Sequence, residues 1–188
     1  MDSWKKHTDK QLWDQSKKGN RQAFKEIFDR HYSLLLGTGI NMLKDPEAAK
    51  DVVQEVFLQI WKNRESLEIK SSLEAYLKRA TINRALNRIR SKKNFLDENE
   101  LKDTASTQSS AQELLEHDDL HSALQAGLDS LPERCRLIFV MKRMEGFSQK
   151  EIADKLNISP KTVENQMTKA LKSLKQKIAP FVKNRESS

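Results

Sequence analysis

SQKEIADKLNISPKTVENQMTKALKSL, residues 148–174, is the stretch whose reading decides the fold. It reads as two short helices broken by a tight turn. Ser148-Gln149-Lys150-Glu151 is a Ser-x-x-Glu capping box: Ser148 accepts from the backbone of Glu151, and Glu151 reaches back. Ile152, Ala153 and Leu156 form the inward face of the first helix. Asn157 stands at the turn, and Asn tolerates the left-handed conformation better than most residues. Ser159-Pro160 opens the second helix with a Ser cap and Pro at the first helical position. Along that helix Val163, Met167, Ala170, Leu171, Leu174 and Ile178 fall on one stripe. The other side carries Lys161, Thr162, Asn165, Gln166, Thr168, Lys169, Lys172 and Lys175. This is the layout of a DNA-reading helix-turn-helix, with Asn157 where many such turns carry Gly. A plain amphipathic hairpin with a solvated lysine face is the rival reading. The small Ala153, the turn residue Asn157 and the β-branched Val163 together favour the DNA reader.

Working outward, the whole chain suits such a role. Its 188 residues are enough for one large or two small domains. The net charge of +7 fits a polyanionic partner. Charged residues make up 32%, with only 5 Gly and 4 Pro, a composition that favours an all-helical protein. The lone Cys135 excludes an internal disulfide and fits a reducing cytoplasm. The opening MDSWKKHTDKQLWDQ has no signal-peptide core, and no apolar run is long enough for a membrane span.

Charge is segregated along the chain. Residues 76–93 carry Lys78, Arg79, Arg84, Arg88, Arg90, Lys92 and Lys93 and no acid. Residues 97–119 are acidic, with Lys102 the one base, and enclose TASTQSSAQ, which has no apolar periodicity. Residues 94–112 therefore read as a flexible acidic linker between helical domains at 5–93 and 113–181. In the first domain Thr8 to Gln11 forms a capping box, Gly19 stops a helix, and Asn20 caps one that buries Phe24, Ile27, Phe28 and Leu35. Asp45-Pro46 starts a helix to about Lys62, and a box at Ser71-Ser72-Leu73-Glu74 opens another to about Ser91. In the second domain a box at Ser130-Leu131-Pro132-Glu133 opens a helix burying Leu137, Ile138, Val140 and Met141, which Gly146 ends. Neither a phosphate-binding loop nor an alternating strand pattern appears.

Two helices of the first domain carry more than a core stripe. In the helix from Pro46, Val52, Val53, Val56, Phe57, Ile60 and Trp61 face inward. Asp51, Gln54, Glu55 and Leu58 stand at i, i+3, i+4 and i+7 on another face. An acidic-polar patch around a Leu suits docking on a basic protein surface, and simple solvation explains it as well. In the helix from Ser72, Tyr76, Arg79, Asn83, Asn87 and Arg90 share one face. An aromatic, two amides and two guanidiniums can stack on unpaired bases, hydrogen-bond to them and hold phosphates. A solubilising basic helix is the alternative, though Asn has poor propensity for a helix interior.

At this point the chain resembles a bacterial RNA polymerase sigma factor of the extracytoplasmic-function (ECF) group, in the sigma-70 superfamily. AFKEIFDRHYSLLLGTGINMLKDPEAAKDVVQEVFLQIW and SLEAYLKRATINRALNRIRSKK resemble its region 2. LDSLPERCRLIFVMKRMEGFSQKEIADKLNISPKTVENQMTKALKSLKQKI resembles its region 4. The resemblance implies an all-α fold of two small helical domains on an acidic tether, the second a helix-turn-helix. It implies that Asp51, Gln54, Glu55 and Leu58 dock on the clamp helices of the polymerase largest subunit. It implies that residues 64–72, including Lys70, Ser71 and Ser72, join Tyr76, Arg79, Asn83, Asn87 and Arg90 in capturing melted DNA of the −10 element. Tyr76 stands where many members carry Trp. Lys161, Thr162, Glu164, Asn165, Thr168, Lys169 and Lys172 fall on the face that reads duplex DNA of the −35 element. The linker would thread through the polymerase, and the C-terminal domain would meet its flap region. Core polymerase, promoter DNA and an anti-sigma factor are the implied partners, without membrane insertion, cofactor, metal or catalysis.

Two other readings compete. A stand-alone helix-turn-helix regulator would bind duplex operator without polymerase. An enzyme would need a site, and only His117 and His121 beside Asp118 suggest a metal; a solvated acidic turn accounts for them better. His7 and His31 are isolated, and Cys135 lies beside a core face.

Overall fold

Side-chain caps divide the chain into helices. A computed structural model describes residues 4–98 and 119–185, and every regular element among them is helical. The chain divides into two compact units, residues 1–99 and 100–188.

The first unit opens with a 3₁₀ turn at Trp4–Lys6 and helix α1, Asp9–Lys17. Thr8 and Gln11 close a full capping box on α1, and Gly19 ends the following turn at φ +88°. Asn20 Oδ1 accepts from the amides of Gln22 and Ala23 to start α2, Arg21–Leu43. Lys44 takes the left-handed conformation at the end of α2, and Asp45 caps α3, Pro46–Asn63. Two residues thus reverse the chain. The helices meet closely there: a Cβ on Gly39 would lie 3.0 Å from the Ala49 Cβ. Helix α4 is Leu73–Glu98. Helix α2 packs on α1, α3 and α4, and α3 packs also on α4. Leu12, Ile27, Leu35, Val53, Val56, Phe57, Ile60 and Leu77 form the core. Phe24 and Phe28, expected inside, are half-buried at its margin.

Polar contacts fix the start of this unit. The Arg30 guanidinium donates to the carbonyls of Trp4, Lys5 and His7 at 3.1, 2.9 and 2.8 Å and pairs with Glu26 at 2.8 Å. Buried His31 meets Asp9 at 2.8 Å. These residues tie the N-terminal turn and α1 onto α2.

The second unit contains α5 at Asp119–Asp129, α6 at Glu133–Phe139, α7 at Gln149–Leu156 and α8 at Pro160–Arg185. A π-helical turn, Val140–Met144, follows α6, and Gly146 closes it at φ +73°. Helix α8 packs on α5, α6 and α7. Leu128, Leu131, Cys135, Phe139, Ala170 and Leu174 form one core cluster, and Ile138, Met141, Phe147, Ile152 and Val163 are also buried. Burial pushes the Cys135 thiol up, and it pushes the enclosed Arg136 guanidinium down against the opposing pull of Glu133 and Asp129.

Four local expectations change. The α4 cap is Ser72, whose Oγ accepts from the Ala75 amide at 3.2 Å; Ser71 bonds to Ser72 O, and Glu74 pairs with Lys78. The box at Ser130 does not form. Its hydroxyl donates back to Gly127 O at 2.7 Å, and α6 begins past Pro132 without a side-chain cap. Leu171 is 42% exposed, because it stands at the edge of the α8 stripe. Helix α4 continues past Ser91 to Glu98, overlapping the first residues of the expected linker. Residues 99–118, with His117 and Asp118, lie outside the described residues.

Candidate nucleic-acid and protein interfaces

The helix-turn-helix forms as local chemistry dictates. Ser148 and Glu151 exchange both capping-box bonds, at 3.2 and 2.8 Å. Asn157 adopts φ 51° and ψ 54°, and the Ile158 amide bonds back to Ala153 O at 3.0 Å. Ser159 Oγ accepts from the Thr162 amide at 3.0 Å at the start of α8. Gln149 Nε2 donates to Pro160 O at 2.7 Å, fixing the entry of α7 against that of α8. Lys161, Glu164, Asn165, Thr168, Lys169 and Lys172 are exposed along α8. Lys161 pairs with Glu164 at 3.0 Å, and Thr168 bonds back to Glu164 O at 3.1 Å. Thr162 is half-buried, with its hydroxyl on Ser159 at 2.9 Å. Gln166 turns toward the protein and accepts from the Cys135 thiol, so its amide braces α8 against α6.

In the first unit, α3 separates its two faces cleanly. Val52, Val53, Val56, Phe57 and Ile60 are buried, whereas Asp51, Gln54, Glu55 and Leu58 are all exposed. Leu58 is 58% exposed. Beside it lies an apolar groove of about 400 Å³, lined by Arg21, Phe24 and Phe28 of α2 and by Gln54, Phe57, Leu58 and Trp61 of α3. Sequence periodicity assigned those aromatics to the core. The i, i+4 pairs Phe24–Phe28 and Phe57–Trp61 were the available sign of an apolar seam between two helices.

Residues 64–72 leave α3 in an ordered course. The Arg64 guanidinium lies 4.3 Å from the Trp61 ring centroid and donates to Trp61 O at 2.9 Å. Leu67 and Ile69 pack on the core, while Glu68, Lys70, Ser71 and Ser72 are exposed. On α4, Arg79, Asn83, Asn87 and Arg90 are exposed, and Arg90 Nη1 lies 3.4 Å from Asn87 Oδ1. Tyr76 is half-buried and packs against the core, so one part of its ring is already covered. Sequence reading missed Arg84 and Arg88 as partners of α3: Arg84 pairs with Glu55 at 3.0 Å and Arg88 with Asp51 at 3.1 Å. No cluster of metal-ligating side chains occurs among the described residues, and no described helix is long and apolar enough to cross a membrane.

Each unit contains a stretch that matches a family model. The model of sigma-70 region 2 matches residues 27–95, and the model of sigma-70 region 4 matches residues 121–174. The chain is 28% identical over 174 residues to the ECF RNA polymerase sigma factor SigW of Bacillus subtilis, covering 87% of this chain and 93% of that protein. It is 23% identical over 190 residues to the ECF RNA polymerase sigma-E factor of Escherichia coli K12, covering 94% and 97%. Among solved structures it resembles the sigma factor RpoE in complex with the anti-sigma factor NepR from Bartonella quintana, with TM-score 0.53, 19% identity and coverage of 83% and 96%. It also resembles CnrH in complex with the cytosolic domain of CnrY, with TM-score 0.51, 23% identity and coverage of 89% and 95%.

Proposed function

Because this chain belongs to the sigma-70 family, in its ECF group of sigma factors, we propose that its two units divide promoter recognition between them. As a sigma factor it binds core RNA polymerase and directs promoter-specific initiation. The observation that carries the division of labour is the separation of faces: a helix-turn-helix in one unit, and distinct α3 and α4 surfaces in the other. The first domain runs from residue 5 to the end of α4 at Glu98, so the tether expected at 94–112 begins only after it, and the second domain spans 113–181.

Asp51, Gln54, Glu55 and Leu58 dock on the clamp helices of the largest subunit. Two carboxylates supply charge complementarity, and an exposed Leu beside an apolar groove supplies surface to desolvate. Lys70, Ser71 and Ser72 join the α4 face at Tyr76, Arg79, Asn83, Asn87 and Arg90 in holding the melted −10 strand. Capturing a base outside the stack costs a few kcal/mol, which stacking and backbone contacts must offset. The exposed half of Tyr76 provides the stacking surface. Lys161, Glu164, Asn165, Thr168, Lys169 and Lys172 read the −35 duplex in the major groove, with Thr162 at its N-terminal end. A good bidentate base contact there is worth roughly 1–3 kcal/mol. Gln166, on the same helix, is not among the readers, since its amide oxygen accepts from Cys135.

The second unit also meets the polymerase flap, which fixes the distance between the two readers. Tethering makes the second DNA contact intramolecular, so two modest readers act as one selective one. The acidic stretch between them follows a channel built for nucleic acid. An anti-sigma factor is the expected regulator of this chain; the structurally similar sigma factor RpoE was solved in complex with the anti-sigma factor NepR. The protein works in the cytoplasm as a specificity factor, and bond formation belongs to the polymerase.

Selection of random duplex DNA tests the reading. With core polymerase and this chain, the recovered DNA should contain two sequence blocks at one fixed spacing. The chain alone should select no such pair. Recovery of a palindromic site by the chain alone would instead identify an operator-binding regulator.

A further inference from the structure

The acidic docking face of α3 is engaged within the chain itself. Asp51 and Glu55 stand one turn apart on α3, and Arg88 and Arg84 stand one turn apart on α4. Asp51 takes Arg88 at 3.1 Å and Glu55 takes Arg84 at 3.0 Å, a two-rung ladder between packed helices running in opposite directions. Arg84 and Arg88 are not members of the Tyr76–Arg90 face, yet they lie on the same basic helix. We propose that docking on polymerase breaks this ladder and releases Arg84 and Arg88 as ligands for promoter DNA phosphates. The proposal rests on the docking role of Asp51 and Glu55 given above.

Two observations and one consequence of the docking role carry it. The side chains of Arg84, Glu55, Arg88 and Asp51 are 37%, 48%, 43% and 56% exposed, so water screens both pairs and neither rung is strong. A surface that binds the two carboxylates must itself be basic, so it competes directly with the two guanidiniums. The released arginines would then stand on a helix whose residues 76–93 contain five other bases and no acid, where an unpaired guanidinium is repelled. A phosphate is the matching acceptor, because guanidinium binds it in a bidentate fork. In the free chain the ladder neutralises two positive charges of α4; in the complex those charges return. Polymerase binding and single-strand affinity are thereby coupled through one exchange of partners.

The test compares full-length wild type with the double variant Arg84→Gln/Arg88→Gln. Loss of the internal competitor should tighten binding to core polymerase by roughly two- to tenfold. The salt slope of promoter binding by the holoenzyme should fall by about 1.5–2, one phosphate contact per arginine. The slope for the free chain should not change. Arg84→Lys/Arg88→Lys keeps both charges and should keep the holoenzyme slope. Unchanged or weaker core binding by the glutamine variant would overturn the proposal, as would an unchanged holoenzyme slope. Failure of the docking reading is visible separately: Asp51→Asn/Glu55→Gln would then bind core polymerase as tightly as wild type.

Discussion

Asn157 shows how one residue can be read from sequence for a physical reason. The turn needs a left-handed residue, Asn accepts that conformation, and the backbone places it at φ 51°. Asn157→Ala should therefore cost about 1 kcal/mol, while Asn157→Gly should stay within about 0.5 kcal/mol of wild type in urea titrations of the full chain. Caps at Thr8, Asn20, Asp45 and Ser148 were legible because each bond closes within three residues. Other residues were ambiguous for equally local reasons. Ser71 and Ser72 compete for one cap, and the one nearer the helix wins. Ser130 fits the box pattern, but the preceding helix offers its hydroxyl a carbonyl at 2.7 Å. Leu171 lies about 60° from the middle of the α8 stripe at 100° per residue, enough to leave it exposed. Cys135 is buried and its thiol is held protonated by burial, so alkylation should require unfolding. Labelling with iodoacetamide, with and without denaturant, checks this.

At the scale of the element, α3 and α4 each carry a core stripe and a second face. Periodicity revealed both faces, since a helix fixes which residues stand together. It could not reveal what α3 and α4 present to each other. Arg88 reaches Asp51 across 37 positions, and Arg30 reaches the carbonyl of Trp4 across 26. Such contacts depend on packing, which no single window contains. The groove beside Leu58 escaped notice for the same reason: its aromatics differ from core aromatics only in what covers them. Leu58→Ala should change stability by less than about 0.5 kcal/mol, since the side chain is 58% exposed, yet weaken polymerase binding several-fold in a pull-down. A loss of both would place Leu58 in the fold. On α4, Asn87→Ala should leave stability unchanged or raise it by about 0.5 kcal/mol, because Ala is the better helix former. The same change should reduce holoenzyme binding to melted −10 DNA, measured by fluorescence on a single-stranded oligonucleotide.

At the scale of the whole molecule, the two units have separate cores, and α2 and α8 are their respective centres. The division was visible in sequence from the charge reversal after residue 93, although α4 carries helix beyond it to Glu98. Under the proposed division neither unit by itself defines a promoter: one offers a duplex-reading helix, the other a surface for unpaired bases, and the polymerase supplies the spacing that joins them. Run-off transcription tests this most directly, using purified core polymerase and a template carrying the two selected blocks. Adding the chain should produce one transcript from a fixed start, and altering either block should abolish it. The same transcript from core polymerase alone, or initiation indifferent to both blocks, would contradict the account.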